Sequence, residues 1–334
     1  MNKSENNFEV QSRLFEEIKK NITAQYALVD IVSEVLNTSS DSAYRRIRGD
    51  KLLSIEETYM LCKHFKISFD SLIVDKNIHQ FDYVYNSVDL SVRDAYINYI
   101  LKLLSRIEKL KTSVNSNIFM SSIDAPFFYF IYYKELTFFK LFTWNRSVYN
   151  YEGSFDEFIN KIDTPVLVDC FHKITKDFES IPSVDIWSEN TIDTTLRTLN
   201  YYTDIDSFPN QDLPLLICEQ LLGLLNKLQK WTENGYKGDS NVPFQFYFSE
   251  MDFENTCALM KCSDSSICLA KLHSVNSLNI SDKDFCTDVE QWFNKLTKRS
   301  TSLCSSEKER IKFFNSQRKK VQLLMEKIQS NPKE

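Results

Sequence analysis

Five glycines must serve 334 residues, and that scarcity narrows the folds open to this chain. Nucleotide-binding sheets and barrels place glycine at phosphate-binding turns and tight corners, where a residue without Cβ is needed. Neither GxGxxG nor GxxxxGKS/T occurs. The expectation is a mainly α fold. Hydrophobic residues make up 43% and charged residues 26%, a globular balance. A chain of this length suits two or three domains.

The first ten residues are polar and lack the apolar run of a secretory signal. The most apolar stretch, 125–144, carries Lys134, Glu135 and Lys140 near its middle, where charge is costly in lipid, so no membrane partner is expected. Eight cysteines without a signal imply reduced thiols and a cytoplasmic protein. The net charge of −6 exerts no general pull on nucleic acid, so any such binding must come from a local patch.

Residues 8–75 read as a run of short helices. Phe8, Leu14, Phe15 and Ile18 form one apolar stripe, and Leu28, Ile31, Val32, Val35 and Leu36 form a second. A polar break at 37–40 precedes a helix over Ser40–Arg48, which Gly49 ends. Ser54 and Glu57 have the spacing of a capping box. Residues 76–87 read as a linker, and 88–114 as a long amphipathic helix whose apolar positions suit either a dimer seam or packing on its own domain.

The aromatic block at 126–144 has no clear period, and a short extended piece followed by a helix from about Lys134 is expected. Helices follow over 155–180, 188–203 and 211–234, the last punctuated by Gly235. Alternation at Phe244, Phe246 and Phe248, then a Ser263–Ser266 turn between 257–262 and 267–273, indicates a small antiparallel sheet with a hairpin. A helix pair over 284–298 and 306–328 closes the chain, its second member opened by a Ser306–Glu309 capping box.

The segment SSDSAYRRIRGDKLLSIEETYMLCKHFKISFDSLI (39–73) resembles the second half of a lambda-repressor-like (Xre/Cro-type) helix-turn-helix domain, close to the BetR-type variants of bacterial transcription regulators. The shared features are the serine-rich start, the arginine-bearing helix ending in Arg48-Gly49, the restart at Leu53-Ser54-Ile55-Glu56, and the closing Phe-x-Ile-Ser-Phe-Asp-Ser-Leu. That resemblance implies double-stranded DNA as partner, with 28–36 crossing the backbone and 40–48 entering the major groove. Tyr44 and Ile47 would anchor the recognition helix inward, with Ala43 close to its neighbour. Ser40, Asp41, Ser42 and Arg45 would face the DNA at its N-terminal half, Arg45 suiting a guanine edge. Arg46, Arg48 and Lys51 would contact phosphates. Against this, Asp41 and Arg45 at i and i+4 suit a solvated ion pair. Residues 1–75 hold ten Lys+Arg and twelve Asp+Glu, but 40–51 hold four and two.

Other constellations carry less. Cys257, Cys262, Cys268 and His273 cluster in sequence, but no CxxC occurs, and buried free thiols account for them better than a metal. Asp169, Cys170 and His172 are too close along one helix to face one another, and no cofactor or catalytic motif is found, so an enzyme is not expected. The basic stretch 295–327, with Arg310, Arg318, Lys319 and Lys320, suits a solvated helix packed through Ile311, Phe314, Val321, Leu324 and Ile328 better than a second DNA contact. The aromatic block suits core packing and a ligand pocket equally.

The expected architecture is thus mainly α: a five-helix lambda-repressor-like helix-turn-helix domain (1–75), a linker and dimerisation helix (76–117), and a larger C-terminal α+β domain (118–334) with a small antiparallel sheet. The expected function is sequence-specific DNA binding by a homodimer, since one such domain reads a half-site. The last domain would serve oligomerisation and sensing of a small-molecule or peptide effector. The arrangement resembles peptide-sensing regulators in outline, without their tetratricopeptide consensus. The alternative is a helical protein–protein interaction module without DNA binding.

Overall fold

Leu14, Phe15 and Ile18 share one face of the first helix, α1 (Glu9–Lys20), and are buried there, as their spacing requires. The computed structural model describes residues 9–20, 22, 27–73, 83–86, 88, 93–162, 165–239, 241–273 and 276–330. It divides into two units, Met1–Asp82 and Tyr83–Glu334.

In the first unit α1 is followed by α2 (Ala27–Val35), α3 (Ser40–Arg48), α4 (Ile55–Phe65) and the single turn α5 (Asp70–Ile73). Leu28 and Val32 of α2, Ala43 of α3, Leu61 of α4 and Leu72 close over the α1 stripe in one core. Each junction has a local cause. Ser39 caps α3 by accepting from the Ser42 amide, and Gly49 ends it in the left-handed region at φ 86°. Ser54 and Glu57 form the expected capping box at the start of α4.

The second unit runs β1 (Tyr83–Asn86), α6 (Arg93–Thr112), β2 (Asn117–Ser122), α7 (Phe127–Phe130), α8 (Lys134–Tyr149), α9 (Phe155–Ile162), α10 (Pro165–Phe178), β3 (Ser183–Ser188) and α11 (Asp193–Asp204). It continues α12 (Asp212–Asn234), β4 (Tyr236–Lys237), β5 (Val242–Ser249), β6 (Cys257–Lys261), β7 (Ser266–His273), β8 (Asn276–Ile280), α13 (Lys283–Arg299), β9 (Thr301–Ser302) and α14 (Glu307–Ser330). The strands make one mixed sheet in the order β1-β8-β7-β6-β2-β3-β5-β4, with β9 on β5.

This sheet corrects the expectation of a small antiparallel one. The hairpin β6–β7 and its turn are where they were expected. β2, β3 and β5, however, run parallel, Ile118 opposite Ser183 and Ser183 opposite Phe244. Their connections are the helical crossovers that parallel pairing demands. β3 carries no alternation because every one of its residues is buried, the usual state of a strand covered on both faces. β1 corrects the linker assignment for its four residues, which pair with β8; residues 76–82 and 87 lie outside those described.

The long helix also belongs to the second unit. Tyr96, Ile100, Leu103, Leu104, Ile107 and Leu110 of α6 are buried in its core, and α10 is its main neighbour. Most of the stripe proposed as a dimer seam is therefore already covered, with Val114 beyond the helix end exposed and Val92 outside the described residues. α8 begins at Lys134, as expected, and buries every residue from Leu136 to Thr143, so it threads the core rather than lying on it. Within that core β3 presents a wholly buried Asp185, approached by the Tyr129 hydroxyl; burial pushes its carboxyl up to about 7. Lys237 is equally buried, donates to Ser183 Oγ at 2.9 Å, and is pushed down to about 7 by the same cause.

α14 packs mainly on α12 and α11, not on the sheet alone. Phe314, Val321, Leu324 and Ile328 are buried and Ile311 is exposed. Three of its cations are engaged within the unit: Arg310 donates to the carbonyls of Leu303 and Cys304, Arg318 to Asn226 and Gln229, and Lys320 to Asp193 and the Glu189 carbonyl, while Lys319 is exposed. Among the described residues no helix is long and apolar enough to cross a membrane.

Candidate nucleic-acid interface

α3 packs against α2 and divides into two faces. Ala43 and Arg46 are buried and Ile47 packs on the core, while Ser40, Asp41, Tyr44, Arg45 and Arg48 are exposed. Tyr44, at 49% exposure, is thus turned outward, and its expected role as an inward anchor is corrected. Ile47 keeps that role. The place assigned to the tyrosine is taken by an arginine.

Arg46 is 5% exposed. Its Nε and Nη2 donate to the two Glu57 carboxylate oxygens at 3.1 and 2.5 Å, and Nη1 donates to Ser42 O and Oγ at 3.1 and 2.5 Å. The Arg46 guanidinium holds the Glu57 carboxyl below its ordinary value, against the effect of burial and with help from the Ser54 amide. One side chain therefore joins α3 to the capping box of α4 in a bidentate pair. The assignment of Arg46 to phosphate is corrected: its donors are directed into the unit. Ser42, expected to face outward, is half-buried and directs its hydroxyl at Arg46.

Gln11 does related work and escaped the sequence reading. Buried on α1, it donates from Nε2 to the carbonyls of Arg46 (2.8 Å) and Lys51 (2.9 Å) and accepts from the Leu53 amide (3.0 Å). It thereby fixes the turn that leaves α3. The available signal was its position: three residues before Leu14 and four before Phe15, a polar residue inside an apolar stripe.

The outward face keeps Arg45, Arg48 and Lys51, all exposed, beside Asp41 and Asp50. Among the described residues no ion pair joins Asp41 to Arg45. Arg48 lies 5.7 Å from the Tyr44 ring centroid and 3.6 Å from Asp50; a pair this exposed contributes little. Removing Arg46 from the surface leaves three cations against two carboxylates over 40–51, a weaker positive patch than the sequence suggested. Leu52, Ile55 and Tyr59 are also exposed, Ile55 by 85%.

The other candidate constellations do not converge. Cys257 and Cys268 bring their sulfurs to 3.6 Å across adjacent strands, whereas Cys262 sits in the turn against Ser265. No group of three or more potential ligands is close enough to hold a metal among the described residues. On α10, Cys170 is buried while Asp169 and His172 are exposed. His64 is exposed, and His79 lies outside the described residues. The chain matches no family model, no curated protein and no solved structure.

Proposed function

We propose that the first unit binds double-stranded DNA with α3 in the major groove, and that the protein is a cytoplasmic, homodimeric transcription regulator of the helix-turn-helix kind it resembles. The observation that supports this most is the division of α3. A short helix is fixed from behind by Ala43, Arg46 and Ile47 and leaves Ser40, Asp41, Arg45 and Arg48 outward. In such a helix Arg45 reads a base edge, while Arg48 and Lys51 hold phosphates. A second copy is invoked because one unit reads a half-site, with two such helices ~34 Å apart.

A gel shift on genomic fragments tests this. Retention should fall with added salt with a log–log slope of roughly −2 per bound copy, from two phosphate contacts each. Arg45→Ala should relax preference at one base pair by ~1–3 kcal/mol. Arg48→Ala should weaken all sequences alike. Equal effects from the two would refute the assigned roles, and no retention at low salt would refute DNA binding.

One observation favours a second reading, a protein-interaction module: the apolar side chains of Leu52, Ile55 and Tyr59 are exposed. That reading gains if DNA retention is absent and Ile55→Lys abolishes self-association or partner capture.

A further inference from the structure

β2 ends at Ser122, and the chain beyond it, through Asp124 and Phe127, forms one side of a cavity of about 110 Å³. Its walls are mostly apolar, with Met120, Phe127, Trp144 and Leu269 among them. The polar groups are few, and their pairing is unequal. Asp124 is saturated: Lys140 takes Oδ2, and Thr195 Oγ1 (2.6 Å) and the Ala125 amide (2.9 Å) take Oδ1. Lys140 is itself buried, bonding Thr195 Oγ1 at 2.7 Å as well.

Lys271 is different. It lines the same cavity from β7, with Nζ 4.6 Å from the Trp144 ring centroid, and among the described residues it has neither a hydrogen bond nor an ion pair from that nitrogen. Burial pushes its ammonium down to about 8, against the attraction of the Asp124 carboxylate and with a smaller push from Lys140. Lys271 is two residues after Leu269 on β7, on the same face of the strand by ordinary alternation, and both line the cavity. Ser122 completes the set, its Oγ buried without a partner and its residue lining the cavity. Asp124 is held by Lys140 from outside the cavity, so Lys271 is left as a lining cation without a bonded counterion, in a setting where unpaired charge is costly.

We propose that this cavity binds a small apolar monocarboxylate, its carboxylate on Lys271 Nζ and Ser122 Oγ and its tail against Trp144, Phe127 and Leu269. Size sets the limit. An apolar cavity of about 150 Å³ takes benzene, so this one, at about 110 Å³, holds a shorter tail of about three to four non-hydrogen atoms. A phosphate would need several more donors than one ammonium and one hydroxyl supply, and a cationic ligand meets the Lys271 ammonium.

Calorimetric titration of the full chain with butyrate and pentanoate tests it, with butyramide as the uncharged counterpart. Saturable binding of at least one acid is expected, at least tenfold tighter than the amide. Lys271→Gln should reduce acid affinity at least tenfold, Lys271→Arg should restore part of it, and Ser122→Ala should weaken it several-fold. No saturation by either acid up to about 10 mM, or equal binding of butyrate and butyramide, would overturn the proposal. The comparison of acid with amide uses the unaltered protein, so it decides the matter even if a variant misfolds.

Discussion

Arg46 directs every bonded donor of its guanidinium into the first unit, so its removal belongs to stability rather than recognition. Arg46→Ala leaves the Glu57 carboxylate without its main partner. Because Glu57 is partly exposed, the cost is discounted to ~2 kcal/mol from the range for buried pairs. Urea denaturation should show that loss, whereas Arg45→Ala should stay within ~0.5 kcal/mol. A silent Arg46→Ala would return the residue to the surface. Asp185 allows a prediction in pH. Its folded carboxyl lies at about 7, above the ordinary 3.8, so this group's stabilising contribution is complete below about pH 4 and is lost as pH rises through about 7. Lys237, depressed to about 7, acts in the opposite sense, its contribution growing from about pH 7 toward 10.5 and lost as pH falls. Asp185→Asn should therefore flatten the change between pH 4 and 7 and raise stability near pH 8 by ~1–3 kcal/mol. A less stable variant near pH 8 would show that the ionised carboxylate is well compensated.

At the scale of elements, α3 and α4 depend on their ends. Gly49 sits at φ 86°, so Gly49→Ala should cost ~1–2 kcal/mol. Ser54→Ala, which removes one arm of the capping box, should cost ~1 kcal/mol; thermal melts of the first unit read both. These ends were legible because capping is local: a serine, a glutamate three residues on, a glycine at the stop. The hairpin β6–β7 was legible for the same reason, its turn lying between two short apolar runs. β3 was not. Its residues are buried on both faces and interrupted by Ser183, Asp185 and Ser188, so neither alternation nor a continuous apolar run identifies it. Its partners β2 and β5 lie some sixty residues away on either side, and parallel pairing leaves no nearby turn to find. The scarcity of glycine pointed rightly to a mostly helical chain but gave no hint of parallel strands, because their crossovers lead into α7, α10, α11 and α12 at Phe127, Pro165, Asp193 and Asp212 without a phosphate-binding turn. In α3 residue type misled. Tyr44 looks apolar and Arg46 looks like surface, yet only contact with Glu57, eleven positions on, reveals which one faces inward.

For the whole molecule, the division at Asp82–Tyr83 coincides with two separate hydrophobic cores. Calorimetry of the full chain should resolve two transitions, Arg46→Ala lowering one and Asp185→Asn moving the other; a single transition displaced by both would deny the units their independence. The two also differ in when they can be finished. Every described element of the first lies between Glu9 and Ile73, whereas β2 is flanked by β3 and β6, and β1 waits for β8 at Asn276–Ile280. At ribosomal rates of about 5–20 residues per second, the roughly two hundred intervening residues take about 10–40 s to appear. During that interval the first unit is already folded on the nascent chain, while the phenylalanines around α8 still lack the later strands of their sheet. Messages truncated before β6 would thus yield an intact N-terminal unit trailing an aggregation-prone tail.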